Sequence, residues 1–203
     1  MENHKNLIHV SIHAGVGAGI ILDHHLYTGL AGTAGEAGHM IVQPGGRSCP
    51  CGNHGCLEQY ISEPAVLSRY RELSGRTTVS IDDLVWAYNQ KETAALAVTD
   101  EFTTYLACGI NNLWNLFSPE CIILNSQLTA YLPQLLPEIL QKLSPRFRAT
   151  CHLKLSTLQD TGVLLGAARV CISKYLGTEK LYFSRITTIT HHLTRCSRNE
   201  KNR

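Results

Sequence analysis

The chain has 203 residues, 44% apolar and 17% charged, which is room for an ordinary domain with a real core and too apolar for an unfolded chain. Lys plus Arg number 18 against 16 Asp plus Glu, a formal charge of +2, and this balance argues against a protein that coats nucleic acid. The unusual counts are 8 Cys and 10 His.

Leu7 to Ile12 is β-rich and alternates weakly, so it predicts a strand. Gly15-Val16-Gly17-Ala18-Gly19 and then Ile20-Ile21-Leu22 predict the return arm of a hairpin. From Asp23 to Gly46 the chain is Gly-rich, with Met40-Ile41-Val42 as a further strand closed by Pro44-Gly45-Gly46. Arg47 to Gly55 is a Cys/Gly/Pro loop. Helices are expected next, a short one over Glu58–Ser62 and another from Pro64 to Leu73, with proline in its first turn. Ser80 with Asp83 three residues on resembles a capping box and starts a helix running to about Asn89. Phe102, Leu106, Ile110, Leu113 and Phe117 recur at three- and four-residue steps, predicting an amphipathic helix over Glu92–Phe117, stopped by Ser118-Pro119. Cys121 to Leu124 predicts a buried strand, Leu128 to Leu143 a helix interrupted at Pro133 and Pro137, and His152 to Ser156 another strand. Gly162 to Tyr175 predicts an Ala-rich helix, and the tail from Thr178 is expected to fray. Strands interleaved with helices make the class α/β.

The N-terminus has no apolar run of signal-peptide length, and no stretch approaches the ~20 apolar residues of a membrane span. The expected compartment is therefore the cytoplasm, where thiols stay reduced and cysteines act as metal ligands, small core residues or reactive thiols. Cys108, Cys121 and Cys171 lie among apolar neighbours and read as core residues.

The pattern His39-x9-Cys49-x-Cys51-x4-Cys56 places four ligands within 18 positions. Three thiolates and an imidazole suit tetrahedral Zn²⁺, and four protein ligands close the shell, so the site reads as structural rather than water-activating. Pro50, Gly52 and Gly55 bend the loop so that nearby cysteines can converge. The alternative is a set of ordinary loop cysteines, and His54 is a rival to His39 as the nitrogen ligand.

The stretch Ile12-His13-Ala14-Gly15-Val16-Gly17-Ala18-Gly19-Ile20, then Gly29, then Gly35-Glu36-Ala37-Gly38-His39, resembles the signature of the ROK family of bacterial sugar kinases and sugar-responsive repressors. The run CPCGNHGCLE resembles the family's zinc loop and its trailing Glu58. Asn115 to Pro119, Ile122 to Leu124 and Gly166-Ala167-Ala168 resemble later landmarks, so the likeness runs from about Leu7 to Tyr175 and is nearest to the NagC-like and Mlc-like transcriptional regulators.

The resemblance implies an actin-like, ribonuclease H-like kinase fold, here its C-terminal lobe over residues 1–177, a mixed sheet flanked by helices with a zinc loop, followed by a weakly structured tail over 178–203. It implies His39, Cys49, Cys51 and Cys56 as ligands of a structural Zn²⁺, which decides between His39 and His54. It implies Glu36, His39 and Glu58 as contacts to the hydroxyls of a sugar or sugar phosphate. Taken alone, Glu58 at a helix start is also where an acid is favoured anyway.

Kinases of the family carry a phosphate loop and an Asn-Asp pair that supplies the base, both before the strand that begins here near Leu7. No Asp of this chain stands in a matching context, so no catalytic residue is expected. The nucleotide loop reads as degenerate around Gly15 and Gly17, because His13 stands where those kinases have a small residue, and Asn125-Ser126 where they have Gly-Gly. The leading expectation is a zinc-bound, non-catalytic sugar-sensing lobe of a NagC-like regulator, truncated, commonly a homodimer, and meeting DNA only through a further winged helix-turn-helix. The alternatives are an ATP-dependent kinase of a hexose or N-acetylhexosamine, and a ligand-free dimerisation module using the Glu92–Phe117 helix.

Overall fold

The computed structural model describes residues 4–158 and 161–177. β1 (Leu7–Ile12) and β2 (Val16–Leu22) form the expected antiparallel hairpin, with Ile8 opposite Ile20 and Ile12 opposite Val16. β3 (His25–Tyr27) adds a strand that the sequence pattern did not announce, because its three residues are all exposed and show no alternation. What makes it is the turn before it: Asp23 and His24 hold φ at 48° and 67°, the double positive-φ geometry of a tight hairpin.

The chain then leaves the sheet for its helices. α1 (Glu58–Ile61) and α2 (Glu63–Ser74) meet at Ser62, whose hydroxyl accepts from the Ala65 amide at 3.4 Å. α3 (Ile81–Asn89) opens with the full capping box, Ser80 Oγ accepting from the Asp83 amide at 3.2 Å while the Ser80 amide donates to the Asp83 carboxylate at 2.8 Å. Ser80→Ala is expected to lower stability by about 1 kcal/mol, read as a shift of the urea midpoint at unchanged slope; an unmoved midpoint would show that the box contributes nothing.

α4 (Thr93–Phe117) is the 25-residue axis of the fold. Its Val98, Phe102, Leu106, Ile110 and Leu113 are buried in one cluster with Ile8, Val10 and Ile12 of β1. These residues of the helix that the sequence offered as a possible dimer surface face the core, while Leu96 and Leu116 of the same helix are exposed. Gly109 on this helix lies where Leu57 packs; a Cβ there would stand 2.6 Å from the Leu57 methyl. Leu57 is buried, so the residue preceding Glu58 is seated on the core.

β4 (Cys121–Ser126) returns parallel to β1, pairing Ile8 with Ile122 and Val10 with Leu124, and β5 (His152–Leu155) lies parallel to β4. The sheet order is β3-β2-β1-β4-β5, a mixed sheet. Between β4 and β5 the helix expected over Leu128 to Leu143 is divided into α5 (Gln127–Tyr131) and α6 (Leu135–Lys142), with Pro137 inside the first turn of α6 rather than interrupting it, and α7 (Pro145–Thr150) follows beyond the expected range. Pro133 marks the first break. Ser144 caps α7, its hydroxyl accepting from the Phe147 amide at 3.2 Å with Pro145 in the first turn, a start signal that was present in the sequence.

Residues 1–159 cluster as one compact unit and 160–203 as another. In the second unit α8 (Thr161–Leu176) forms over the expected Ala-rich stretch, and the tail expected to fray lies outside the described residues. Among the described residues no helix is long and apolar enough to cross a membrane.

Two sequence expectations are corrected. Met40-Ile41-Val42 is not a strand: Ile41 makes one isolated bridge to Cys56, and the Val42 and Gln43 amides both donate to the Gly55 carbonyl. The segment pairs with the cysteine loop instead of the sheet, which a three-residue apolar run cannot distinguish. Of the three cysteines read as core, Cys121 is buried, Cys108 is half-buried and Cys171 is exposed on α8, while Cys151 is buried. Apolar neighbours in sequence do not share a helix face, so they are poor guides to a helical residue's burial.

Candidate metal centre and neighbouring carboxylates

The loop between Met40 and Leu57 has little apolar content, and backbone bonds draw it closed. The Cys49 amide donates to Asn53 O at 2.9 Å, the Gly52 amide to Cys49 O at 3.0 Å, and the Gly55 amide to Arg47 O at 2.7 Å. Ser48 and His54 form an isolated bridge. This folding brings Cys49, Cys51 and Cys56 together, while His39 arrives from a single 3₁₀ turn, Ala37–His39.

The ligand atoms of His39, Cys49, Cys51 and Cys56 all lie within 4.8 Å of one another. His39 Nδ1 stands 3.6 Å from Cys49 Sγ, and Cys51 Sγ stands 3.6 Å from Cys56 Sγ. A tetrahedral Zn²⁺ with its usual bond lengths requires ligand separations of about 3.5–3.8 Å. The donor set suits that ion, two of its separations match this geometry, and the others lie within 4.8 Å. His54 is exposed and stands outside the group, which leaves His39 as the nitrogen donor among the described residues.

The three thiols differ. Cys49 and Cys56 are buried and Cys51 is exposed. A hydrogen bond from the Asn53 backbone, followed by one from Cys49, holds the Cys51 thiol down at about 7. Burial, then the bonds to Cys51 and Cys49, pushes the Cys56 thiol up to about 12. A bound cation reverses the second effect, since a coordinating thiol is deprotonated outright. A metal bound here would therefore release protons on binding and be held less tightly as pH falls.

α1 ties this centre to the rest of the unit through consecutive residues. Gln59 Nε2 stands 3.6 Å from Cys49 Sγ, a donor aimed at a sulfur of the candidate centre. The Tyr60 hydroxyl accepts from the Arg47 amide at 3.0 Å, and the Arg47 guanidinium lies 4.6 Å over the Tyr60 ring. Arg47 also donates to Gln59 O at 2.8 Å and pairs with Glu101 of α4, which in turn pairs with Arg69 of α2 at 3.1 Å. Tyr60 stacks on Tyr105 with ring centroids 4.0 Å apart. Gln59, Arg47 and Glu101 were not singled out in the sequence, where nothing local marks a side chain whose partner lies on another element.

The carboxylates flank the same place. Glu36 is exposed, with Oε2 3.9 Å from His39 Nε2, so the imidazole turns one nitrogen to the sulfurs and the other toward Glu36. Glu58 begins α1, and its Oε2 accepts from the Val16 amide at 3.0 Å. Gly38 lies between these groups: a Cβ there would meet Val16 O and Val16 Cβ, and would stand 3.3 Å from Glu58 Cβ. The Glu36–His39 turn, the start of β2 and the head of α1 converge because position 38 has no side chain.

Gly15 and Gly17 have different surroundings. A Cβ on Gly15 would stand 3.0 Å from Glu58 Oε2, whereas Gly17 is open to 3.9 Å. His13, beside that turn, has Nδ1 3.4 Å from Glu63 Oε1 and Nε2 3.3 Å from Asn125 Nδ2. The carboxyl ends of β1 and β4 are thus filled by an imidazole, an amide and a carboxylate.

The family description matching residues 1–174 is the ROK family. The xylose repressor of Bacillus spizizenii is 33% identical over 184 residues, covering 89% of this chain and 47% of that protein. The DNA-binding transcriptional dual regulator NagC of Escherichia coli is 34% identical over 143 residues, covering 66% of this chain and 35% of that protein. Among solved structures, a ROK-family transcriptional regulator homologous to the E. coli MLC protein has a TM-score of 0.63 at 31% identity, over 74% of this chain and 41% of that one. A ROK-family glucokinase from Streptomyces griseus, solved with glucose and AMPPNP, has a TM-score of 0.71 at 23% identity, over 83% of this chain and 61% of that one. This chain spans about half the length of the curated relatives it matches.

Proposed function

The chain belongs to the ROK family and has its actin-like kinase fold, and from that premise we propose that it is a zinc-bound, non-catalytic sugar-sensing lobe of a NagC-like transcriptional regulator. The observation that carries the reading is the convergence of Glu36, His39 and Glu58 beside the four-ligand cluster. Similarity to a xylose repressor and to NagC supports the regulator side of the family.

Held by His39, Cys49, Cys51 and Cys56, zinc would anchor the loop as a closed centre with no site for a reacting water. Glu58 keeps Oε2 on the Val16 amide, which fixes its rotamer and leaves Oε1 to accept from a sugar hydroxyl. Glu36 is exposed and offers a second acceptor. His39, with Nδ1 on the sulfurs, presents Nε2 on the side of Glu36. Carboxylates that accept from two neighbouring hydroxyls suit a monosaccharide or its phosphate. The non-catalytic part is supported by His13 and Glu63 at the strand ends, where a carboxylate repels phosphate and an imidazole occupies the space that backbone approach needs. Pairing with a second copy, contact with DNA through a further domain and a cytoplasmic location belong to the same reading.

Titration calorimetry of the zinc-loaded chain with xylose, glucose and N-acetylglucosamine tests it. One sugar is expected to bind, with a Kd above about 1 μM, and Glu58→Gln is expected to weaken it about 10-fold or more. Glutamine still accepts from the Val16 amide, so the loss reports the sugar contact. Unchanged affinity in both Glu36→Gln and Glu58→Gln would remove the assignment, and ATP-dependent phosphorylation of the sugar would make the chain a kinase.

A further inference from the structure

We infer that Cys51 and Cys56 form a peroxide-responsive dithiol that closes to a disulfide and withdraws two of the four ligands from zinc. The inference rests on the zinc reading above and adds an oxidation site to it.

Access to the cluster is uneven. Cys49 and Cys56 are buried, and Cys51 is the exposed thiol of the three. The residues that follow it, Gly52, Asn53 and His54, are exposed too. A small oxidant in solution therefore meets the Cys51 sulfur first, and susceptibility follows exposure.

The neighbours of each sulfur select the partner. Cys51 Sγ is 3.6 Å from Cys56 Sγ, so bonding requires an approach of about 1.5 Å to reach disulfide length. Gly52, at φ +94°, has nothing within 4 Å of where a Cβ would stand, so the loop tip has room to make that approach. Cys49 is held on its other side by His39 Nδ1 and Gln59 Nε2, each at 3.6 Å. It is also separated from Cys51 by Pro50 alone, a spacing at which a disulfide is sterically poor.

The chemistry balances with a hydroperoxide as oxidant. The Cys51 thiolate attacks one peroxide oxygen; an S–O bond forms, the O–O bond breaks, and the departing hydroxide takes a proton to become water. The Cys56 thiolate then attacks the sulfenic sulfur; the S–S bond forms, the S–O bond breaks, and a second water leaves. Two thiolates, one hydrogen peroxide and two protons give one disulfide and two waters, the thiolates supplying the two electrons. With His39 and Cys49 alone remaining, the four-ligand shell is lost, and the His39 imidazole loses the anchor that orients it toward Glu36.

The test uses the full zinc-loaded chain and hydrogen peroxide. Zinc release is followed with a chromogenic chelator, and the linkage is identified by peptide mass mapping after thiol alkylation. The expected result is loss of zinc in step with a Cys51–Cys56 link, complete before the exposed Cys171 on α8 is oxidised, and reversed by dithiothreitol with added zinc. A Cys171→Ser variant is expected to release zinc at the same rate. Zinc retained while Cys171 oxidises overturns the inference, as does zinc lost with Cys51 present as a sulfinic acid or linked elsewhere. A chain that holds no zinc before peroxide is added overturns the zinc reading and the inference together; a zinc-holding chain that never forms the link overturns the inference alone.

Discussion

Cys51→Ser is expected to leave the purified chain without stoichiometric zinc and to open the segment from Gly35 to Leu57. Serine offers a neutral hydroxyl where zinc takes a thiolate, and changes merely behind the ligand shell already cost about 10–100-fold in affinity. Loss of a ligand itself should cost at least about 100-fold. The structural effect follows from what else holds the loop. Ile41, Gln43, Pro44, Gly45 and Ser48 are exposed, as are Pro50 through His54, so residues 41–56 bury little beyond Cys49, Gly55 and Cys56. Zinc would cross-link a stretch that has almost no core of its own. Metal analysis and limited proteolysis check the prediction together. The wild type should resist cleavage between positions 41 and 55 and the variant should be cut there, while β1, β4 and α4 remain protected. Full zinc stoichiometry in the variant would show that Cys51 is not a ligand.

Gly55→Ala is expected to destabilise the chain by about 3 kcal/mol. Gly55 holds φ at +82°, a conformation that costs an L-residue about 1–2 kcal/mol. The added Cβ would also overlap the Gln43 carbonyl oxygen, and that is backbone, so it cannot swing aside. Any shift that relieves the overlap stretches the bonds made across the same place, from the Val42 and Gln43 amides to Gly55 O at 2.9 and 3.2 Å and from the Gly55 amide to Arg47 O at 2.7 Å. Each is worth about 1 kcal/mol. Gly45→Ala is the matched control. Its φ of +69° carries similar strain, but nothing lies within 4 Å of its Cβ. Calorimetry should therefore show a clearly larger fall in Tm for Gly55→Ala. Equal falls would mean that the backbone overlap is relieved at no cost and that strain alone acts at both sites.

Both predictions concern the part of the chain where sequence and structure agree on the residues and differ on their surroundings. The ligand spacing was legible because short-range chemistry is written locally: soft donors, separated by residues that bend, within one loop. The rivalry between His39 and His54 was not resolvable at that level, since both are near the cysteines in sequence. The family resemblance favoured His39, and the fold groups His39, on a turn against β2, with the three cysteines and leaves His54 at the exposed loop tip. The helices were legible wherever a cap or a period marked them, as Ser80 with Asp83 marks α3. β3 was not, because its existence depends on the positive φ of two residues that are neither Asn nor Gly.

By itself the sequence determined the α/β alternation, the long amphipathic helix, the cysteine spacing of the loop and the family resemblance. All of these are carried by separations of a few residues or by motifs read in place. Only the tertiary structure decided that β1 runs parallel to β4 across more than a hundred intervening residues and that Glu58 reaches the Val16 amide. Such contacts are made after the long loops between them have closed, at an entropic cost met by the shared core around α4, and a local stretch of sequence has no record of which distant partner that closure supplies.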